Sequence, residues 1–329
     1  MAEKLLEISN LRTYFFTEAG VVKALDGLSL EVDKGESVGL VGESGSGKSV
    51  TAQSVLRIVP RPGRIVDGSV KFEGEELLTK KEDDMRKLRG SKMAIVFQDP
   101  TTSLNPLYTV EKQITDILIL HRDLNREDAR RQALHLLERV GIQDPERRLK
   151  AYPHELSGGM KQRIAIARAL SCDPTLLFAD EPTTNLDVTI QAQVLELLKQ
   201  LQKELGMTMV MITHDMGIIA DMTEQVTVLY AGKVMEVAQT EALFSSPKHP
   251  YTEALLKAVP SVRQTRTLEV IPGNIPNLIE PPTGCVFHPR CKYAKDVCVR
   301  EEPALEKVEE GHYVACHFWR QLTLEGRTR

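Results

Sequence analysis

The hydrophobic pattern divides the chain into short strands separated by helices and turns. Apolar and polar residues alternate in Leu5–Ile8 and in Leu28–Val32, which predicts half-buried strands. Ser37–Val41 is almost continuously apolar, as expected of a strand covered on both faces. From Thr51 the pattern becomes helical. Further buried strands are predicted over residues 93–97, 175–179, 207–212 and 226–230.

Longer helices are predicted in the second and third quarters of the chain. Arg126–Val140 is charged on one side and apolar on the other, and Ile190–Leu205 carries a continuous apolar face. Gly206 directly after the second of these fits a helix C-terminus. Strands that alternate with helices predict an α/β core with a mostly parallel sheet.

The amino-acid composition changes after Leu243, where prolines interrupt regular structure and cysteines appear. Four of the five cysteines lie within Cys285–Cys316 with spacing C-x5-C-x6-C-x17-C. The spacing does not match the usual zinc ribbon, but four clustered thiols favour a tetrahedral metal or cluster site. Such a site would staple a small loop-rich appendage that cannot build much core. The fifth, Cys172, is expected to be an ordinary buried thiol.

Size and charge narrow the class of protein. The 329 residues suffice for one large domain or for a main domain with an appendage. A net charge of -4 gives no reason to expect a nucleic-acid partner. No apolar run approaches the roughly 18–20 residues that cross a bilayer, and the N-terminus lacks an export signal's apolar centre. We therefore expect a soluble cytosolic protein, which can still dock on a membrane partner.

The strand Ser37–Val41 leads into a segment that fits G-x-x-x-x-G-K-S, and a predicted helix follows. Its glycines let backbone N–H groups surround phosphates, and the helix N-terminus favours negative charge. Lys48 should reach the β- and γ-phosphates, while the Ser49 hydroxyl ligates Mg²⁺. The predicted nucleotide contacts in this loop are Gly42, Ser44, Gly45, Ser46, Gly47, Lys48, Ser49 and Val50.

Polar residues at the ends of three other predicted strands complete a hydrolytic site. Asp180 ends a buried strand and should hold Mg²⁺, and Glu181 can orient and polarise the attacking water. His214 follows a strand at the edge where open α/β sheets bind ligands, so it is expected to contact the γ-phosphate. Gln98 also ends a strand and can donate to the γ-phosphate or to a Mg²⁺-bound water.

Leu156–Met160 reads L-S-G-G-M and precedes a predicted helix over residues 160–170. An ordinary cap by Ser157 explains the helix start, but it does not explain Gly158 and Gly159, which weaken a first turn. Exposed N–H groups at a helix N-terminus form a second anion site. Since the chain already has one phosphate loop, this second site is best explained if it faces ATP held by a partner subunit.

Taken together and in this order, these segments resemble the ATP-binding cassette family. The resemblance implies a P-loop NTPase fold of the α/β class, with a mixed sheet and an inserted helical subdomain at about 85–169. It implies that a base-stacking aromatic falls at Phe15, with Tyr14 as the alternative. The family's dimer-contact loop matches Thr184–Asp187, where Asn185 replaces a common alanine. The resemblance covers roughly Leu5 to Gly232.

Two further segments, Gln98–Pro106 and Pro247–Thr252, look like the oligopeptide and dipeptide permease branch. That branch implies an ATPase at the cytoplasmic face of the membrane, with a second and often non-identical ATPase subunit. It also implies two membrane permease subunits and an extracytoplasmic binding protein for peptides, or in some members for nickel or other solutes. We expect residues 1–245 to form the nucleotide-binding domain and residues 246–329 the tail.

Members of this branch with such a tail carry a [4Fe–4S] cluster, which the resemblance assigns to Cys285, Cys291, Cys298 and Cys316, with zinc as the alternative. Two other functions of P-loop proteins are less consistent with these motifs than peptide transport. A soluble cassette ATPase of DNA repair or translation would need long coiled coils or two cassettes in one chain, and neither is present. A P-loop kinase would leave L-S-G-G-M without a role.

Overall fold

The computed structural model describes residues 3–258 and 271–327, which form two compact units. One unit comprises the residues up to Leu78 and those from Met211 onward, and the other is Thr79–Val210. The chain therefore leaves the first unit once and returns to it. Within the described ranges, none of the helices combines the length and the apolar character that crossing a bilayer requires.

The strands of the described residues are β1 (Lys4–Thr17), β2 (Gly20–Asp33), β3 (Ser37–Val41), β4 (Gly63–Phe72), β5 (Glu75–Glu76), β6 (Met93–Val96), β7 (Leu176–Asp180), β8 (Thr208–Thr213), β9 (Gln225–Tyr230), β10 (Lys233–Gln239), β11 (Glu306–Glu309) and β12 (His312–Val314). The α-helices are α1 (Lys48–Val55), α2 (Glu82–Leu88), α3 (Pro100–Ser103), α4 (Val110–Arg122), α5 (Arg126–Arg139), α6 (Pro145–Leu149), α7 (Gly158–Ala169), α8 (Val188–Leu205), α9 (Met216–Met222), α10 (Thr240–Ser245), α11 (Pro250–Ala258) and α12 (Asp296–Arg300). Short 3₁₀ turns occupy Pro153–Glu155 and His288–Arg290.

The first unit contains an antiparallel sheet with strand order β2-β1-β4-β5. The two short strands predicted near Leu6 and Leu30 are parts of one long hairpin, in which β1 and β2 pair along their whole length. Alternation fades toward the hairpin's turn because irregularities in the register shift which residues face the core. The hydrophobic pattern therefore revealed only the ends of this hairpin that lie far from the turn.

A second sheet of the first unit has the order β11-β12-β10-β9-β3. The pair β3–β9 is parallel, whereas β10 runs antiparallel to both β9 and β12. This sheet is thus mixed rather than mostly parallel, because β9 and β10 are joined by a tight turn at residues 231–232. The tail is rich in loops, as predicted, but it is not a free appendage, since β12 extends the sheet that carries β3.

The second unit contains the parallel pair β6–β7 and the helices α2–α8. The predicted helices at residues 126–140, 160–170 and 190–205 are confirmed, with starts up to two residues earlier. Side-chain caps set these starts: Asn125 accepts from the N–H of Asp128, and Asp187 accepts from that of Ile190. Helix α8 ends as expected at Gly206, whose φ of 59° lies in the left-handed region.

Candidate functional site

The segment Gly42–Ser49 comprises the loop between β3 and α1 and the first two residues of α1. Lys48 is buried, and its Nζ donates to the carbonyl oxygens of Gly42 at 2.7 Å and Glu43 at 2.9 Å. A Cβ atom at Gly42 would lie 2.1 Å from the carbonyl oxygen of Leu229, and one at Gly47 would lie 2.7 Å from that of Ala24. These glycines are needed because backbone from other strands passes directly against the loop.

The outer part of the loop is open, which distinguishes it from the packed inner part. Ser44 and Gly45 are exposed, and nothing lies within 4 Å of where a Cβ of Gly45 would stand. Gly47 is the N-cap of α1, so the N–H groups of its first turn, which includes Ser49 and Val50, lack helical acceptors. A lysine amine beside a helix N-terminus suits a polyphosphate, so the loop fits ATP with Mg²⁺ at the serine hydroxyl.

Two more predicted residues belong to the first unit. Phe15 is half-buried on β1, and a Cβ on Gly63 would lie 2.8 Å from its ring. The alternative Tyr14 has a hydroxyl that donates to Asp26 at 2.7 Å, and burial, followed by this hydrogen bond, raises the pKa of Tyr14 to about 12. Its polar end is thus committed to a protein partner. His214 is exposed directly after β8, before the N-cap Asp215 of α9.

The second unit brings Gln98 and Glu181 together. Asp180 is buried at the end of β7, and Glu181 follows it with a φ of 44°, in the left-handed region. Oε2 of Glu181 accepts from Nε2 of Gln98 at 2.9 Å and from Oγ1 of Thr184 at 2.8 Å. An amide and a hydroxyl therefore hold the carboxylate in one orientation. The sequence pattern did not predict that Thr184 contacts Glu181. Its position only three residues after Glu181 could have indicated such a contact.

The two glycines of L-S-G-G-M differ in what the fold requires of them. Ser157 caps α7, with Oγ accepting from the N–H of Met160 at 3.3 Å. A Cβ on Gly159 would lie 2.9 Å from Cγ2 of Ile190, whereas one on Gly158 would lie 3.9 Å from Leu186, an ordinary contact. The packing of this unit thus explains Gly159 but gives no reason for the exposed Gly158.

The dimer-contact loop expected at Thr184–Asp187 contains a left-handed residue. Asn185 has a φ of 64°, a conformation that asparagine adopts more readily than most residues. The asparagine that departs from the common alanine therefore suits the backbone at this position. Asp187 caps α8, so this loop leads directly into the helix that supports Gly159.

Four cysteines of the tail line one small cavity: Cys285, Cys291, Cys298 and Cys316. Burial, the largest cause, raises the pKa of Cys285 to about 12 and that of Cys316 to about 11. A metal would have to displace the protons of these thiols in order to bind here. In the described part of the chain, however, no group of three or more His, Cys, Asp or Glu side chains is disposed to hold a metal ion. Binding would require the thiols to rearrange.

Comparison with known proteins decides the family. The family described as ABC transporter matches residues 25–184, and the C-terminal region of oligopeptide/dipeptide transporters matches residues 235–298. A probable peptide ABC transporter ATP-binding protein of Sinorhizobium fredii is 48% identical over 97% of this chain and 96% of its own length. The chain belongs to the ABC transporter ATP-binding proteins. Its matched cassette region contains the phosphate loop, Gln98, L-S-G-G-M and Asp180.

Other members of the ABC family agree in sequence and in fold. The dipeptide transport ATP-binding protein of Escherichia coli is 46% identical over 95% of this chain and 96% of its own length. A dimeric ATP-binding cassette in a post-hydrolysis state, bound to ADP and Pi, is 30% identical with a TM-score of 0.65. That likeness covers 71% of this chain and 98% of the solved one. The predicted ATP-binding cassette fold is confirmed.

Proposed function

We propose that the chain is the ATP-hydrolysing subunit of an ABC importer for dipeptides or oligopeptides. The observation that carries hydrolysis is the carboxylate of Glu181, fixed at 2.9 Å from the amide of Gln98 at the end of β7. The proposal assigns residues 1–245 to the nucleotide-binding domain, with its signature subdomain at about 85–169, and residues 246–329 to the tail. The match of residues 235–298 to the C-terminal region of peptide transporters supports this division.

The phosphate loop would bind the triphosphate of ATP. The Nζ of Lys48, positioned by two loop carbonyls, would donate to oxygens of the β- and γ-phosphates. The first-turn N–H groups of α1 point toward the same charge, and the aromatic ring of Phe15 would stack on the base. His214 would contact the γ-phosphate from its exposed position after β8.

The hydroxyl of Ser49, the carboxylate of Asp180 and the amide oxygen of Gln98 are the proposed oxygen ligands of Mg²⁺. Bound there, the ion supplies charge neutralisation on the β- and γ-phosphates. Gln98 contributes its amide N–H to Glu181 while leaving its amide oxygen for another partner. Gln98 would therefore connect the bound nucleotide to Glu181, the proposed base.

Glu181 would orient the attacking water and accept its proton. A carboxylate can do this only if it is held in one orientation, and the two donors on Oε2 hold the carboxylate of Glu181 in this way. Thr184 lies at the start of the dimer-contact loop, so a change in that loop on pairing of two subunits would reach the base directly. This route couples hydrolysis to dimer closure.

The L-S-G-G-M segment would bind ATP held by a second ATPase subunit. The exposed Ser157 and Gly158 begin α7, and the fold itself gives no reason for the glycine at 158. A bare N–H at a helix N-terminus lets a phosphate approach closely, which a side chain would hinder. Two ATP molecules between two such subunits, identical or not, would hold the dimer closed until hydrolysis.

The four cysteines of the tail would hold a metal centre. The family resemblance favours a [4Fe–4S] cluster and zinc is the alternative, and four thiols on one cavity support either. The centre would supply a structural crosslink to a tail that contains little regular structure. Arg290 and the surrounding turn would then be held by Cys285 and Cys291 on either side.

As an importer subunit the chain would act at the cytoplasmic face of the membrane, beneath two permease subunits supplied by an extracytoplasmic peptide-binding protein. The similarity to dipeptide and oligopeptide transport ATP-binding proteins along 95–96% of this chain supports that setting. The test is co-expression with candidate permease and ATPase subunits, followed by reconstitution and measurement of ATP hydrolysis. Hydrolysis should rise when the binding protein carries peptide. Stimulation by nickel and not by peptide would overturn the proposed cargo.

A further inference from the structure

The phosphate loop is fastened to the cysteine-bearing tail through Glu43. Nη1 of Arg290 donates to Oε2 of Glu43 at 2.7 Å, and Nη2 donates to Oε1 at 3.1 Å. This is a two-pronged arginine–carboxylate pair, the geometry that gives both strength and direction. Only 4% of the Arg290 side chain and 27% of the Glu43 side chain are exposed, so the pair is largely shielded from solvent.

Arg290 is itself rigidly held. Its Nε donates to the carbonyl of Pro272 at 2.8 Å, and its guanidinium lies 5.7 Å from the ring centre of Tyr230, whose hydroxyl it also contacts at 3.2 Å. These contacts hold the Arg290 side chain in one orientation, so the position of the tail determines the position of Glu43 in the loop.

A second tail residue, Tyr251, forms a hydrogen bond with Glu43. The hydroxyl of Tyr251 accepts from the backbone N–H of Glu43 at 2.9 Å, and Tyr251 is fully buried. Its ring packs against Tyr230 at 4.7 Å and Phe287 at 5.1 Å between centres. Phe287 in turn lines the cavity of the four cysteines. The aromatic cluster thus connects that cavity to the loop backbone.

Glu43 matters because its carbonyl is one of the two that hold the amine of Lys48. Three groups of Glu43 are therefore engaged. Arg290 holds its carboxylate, Tyr251 accepts from its backbone N–H, and its carbonyl oxygen accepts from the amine of Lys48. We propose that Arg290 and Tyr251 are positioning residues for ATP binding, so that the tail presets the phosphate loop. This inference rests on the proposed ATP site. It adds a role for the tail beyond a structural crosslink.

The test measures binding of a fluorescent ATP analogue to the full-length chain with Mg²⁺. Arg290→Met should raise the Kd about tenfold, which corresponds to about 1.4 kcal/mol, and Arg290→Lys should raise it less. Tyr251→Phe keeps the ring and should raise the Kd in the same direction. Arg320→Met removes an exposed tail arginine that pairs with Glu306 and is the matched control, expected to leave the Kd unchanged.

Double substitution separates positioning from simple loss of stability. Because Arg290 acts through Glu43, Glu43→Gln with Arg290→Met should bind no more weakly than the weaker single variant. In the assembled transporter the KM for ATP should rise while kcat at saturating ATP stays within about twofold. A folded Arg290→Met variant with wild-type Kd, or additive effects in the double variant, would overturn the inference. Failure of the wild-type chain to bind nucleotide would instead contradict the proposed function.

Discussion

The amide of Gln98 donates a 2.9 Å hydrogen bond to the carboxylate of Glu181, although 83 positions separate the two residues in the chain. Gln98 lies two residues after β6 and Glu181 directly follows β7, and these strands run parallel to one another. Parallel neighbours bring their carboxyl ends to the same edge of a sheet. Through this contact Gln98, a proposed ligand of Mg²⁺, would also orient the proposed base.

Replacing Gln98 by Glu tests this contact. A second carboxylate facing Glu181 raises the pKa of one of the two groups and repels the other, so the base loses its orientation. We expect kcat for ATP hydrolysis to fall at least about tenfold, and further than in Gln98→Ala, which removes the donor without adding charge. Nucleotide affinity of the full-length chain serves as the control. Wild-type kcat in both variants would show that the hydrogen bond does not matter.

The two glycines of L-S-G-G-M give a matched pair of substitutions. Gly158→Ala meets no close contact and replaces a poor helix former, so stability should be unchanged or up to about 1 kcal/mol higher. ATP hydrolysis by the assembled pair should nevertheless fall strongly, because the methyl group intrudes on the phosphate of the partner's ATP. Gly159→Ala should lower the melting temperature, since Ile190 stands 2.9 Å from the new carbon. Full activity in Gly158→Ala would argue against a shared site.

His249 makes stability of the tail region depend on pH. Its Nδ1 accepts from the N–H of Tyr251 at 3.0 Å, and burial lowers the pKa of His249 to about 3. The folded state keeps the ring neutral, whereas the unfolded state gains a proton below about pH 6.5. Stability should therefore be intact above that pH. It should fall by up to about 1.4 kcal/mol per pH unit as the pH drops from about 6.5 toward about 3.

Trp319, the only tryptophan of the chain, reports on this effect from the tail. The His249→Asn variant keeps an acceptor for the N–H of Tyr251 but does not titrate in this range. Urea unfolding followed by tryptophan fluorescence at pH 7.5 and 5.5 should show a larger loss for the wild type than for the variant. Equal losses in the two proteins would assign the pH dependence to other groups.

The metal content of the tail is tested by anaerobic purification with iron, sulfide and zinc analysis and a visible absorbance spectrum. We expect iron and sulfide in equal amounts, lost in Cys291→Ser, together with weakened tail stability. Cys172→Ser is the matched control, because Cys172 is a buried thiol that does not line the cavity of the other four. Zinc without iron would show that the tail binds zinc and not a [4Fe–4S] cluster. Absence of both metals would contradict the proposed metal centre.

Those parts of the candidate site that depend on neighbouring residues could be predicted from the sequence. The phosphate loop, the cap at Ser157 and the end of α8 at Gly206 depend on residues that are neighbours in the chain. The hydrogen bond from Gln98 to Glu181 and the pair between Arg290 and Glu43 span 83 and 247 positions. No periodicity encodes such partners, because strand order and tail path decide them.

The tail was the least predictable part of the fold. Prolines correctly indicated loops, but β12 is only three residues long and gives no periodic signal. Its attachment to β10 is reinforced by a buried hydrogen bond of 2.8 Å between His312 and Glu236. The hydrophobic pattern does not reveal a polar pair of this kind before the strand pairing is known, so the sequence predicts an appendage where the structure has a continuous sheet.

Gel filtration of Glu181→Gln mixed with its expected ATPase partner shows whether two subunits share ATP. The variant keeps the size and hydrogen-bonding capacity of residue 181 but removes the proposed base, so bound ATP should persist. With ATP and Mg²⁺ the account predicts a stable dimer, which disappears when ADP replaces ATP or when Lys48→Ala is added. A chain that binds ATP yet elutes as a monomer in the presence of its partner would contradict the account.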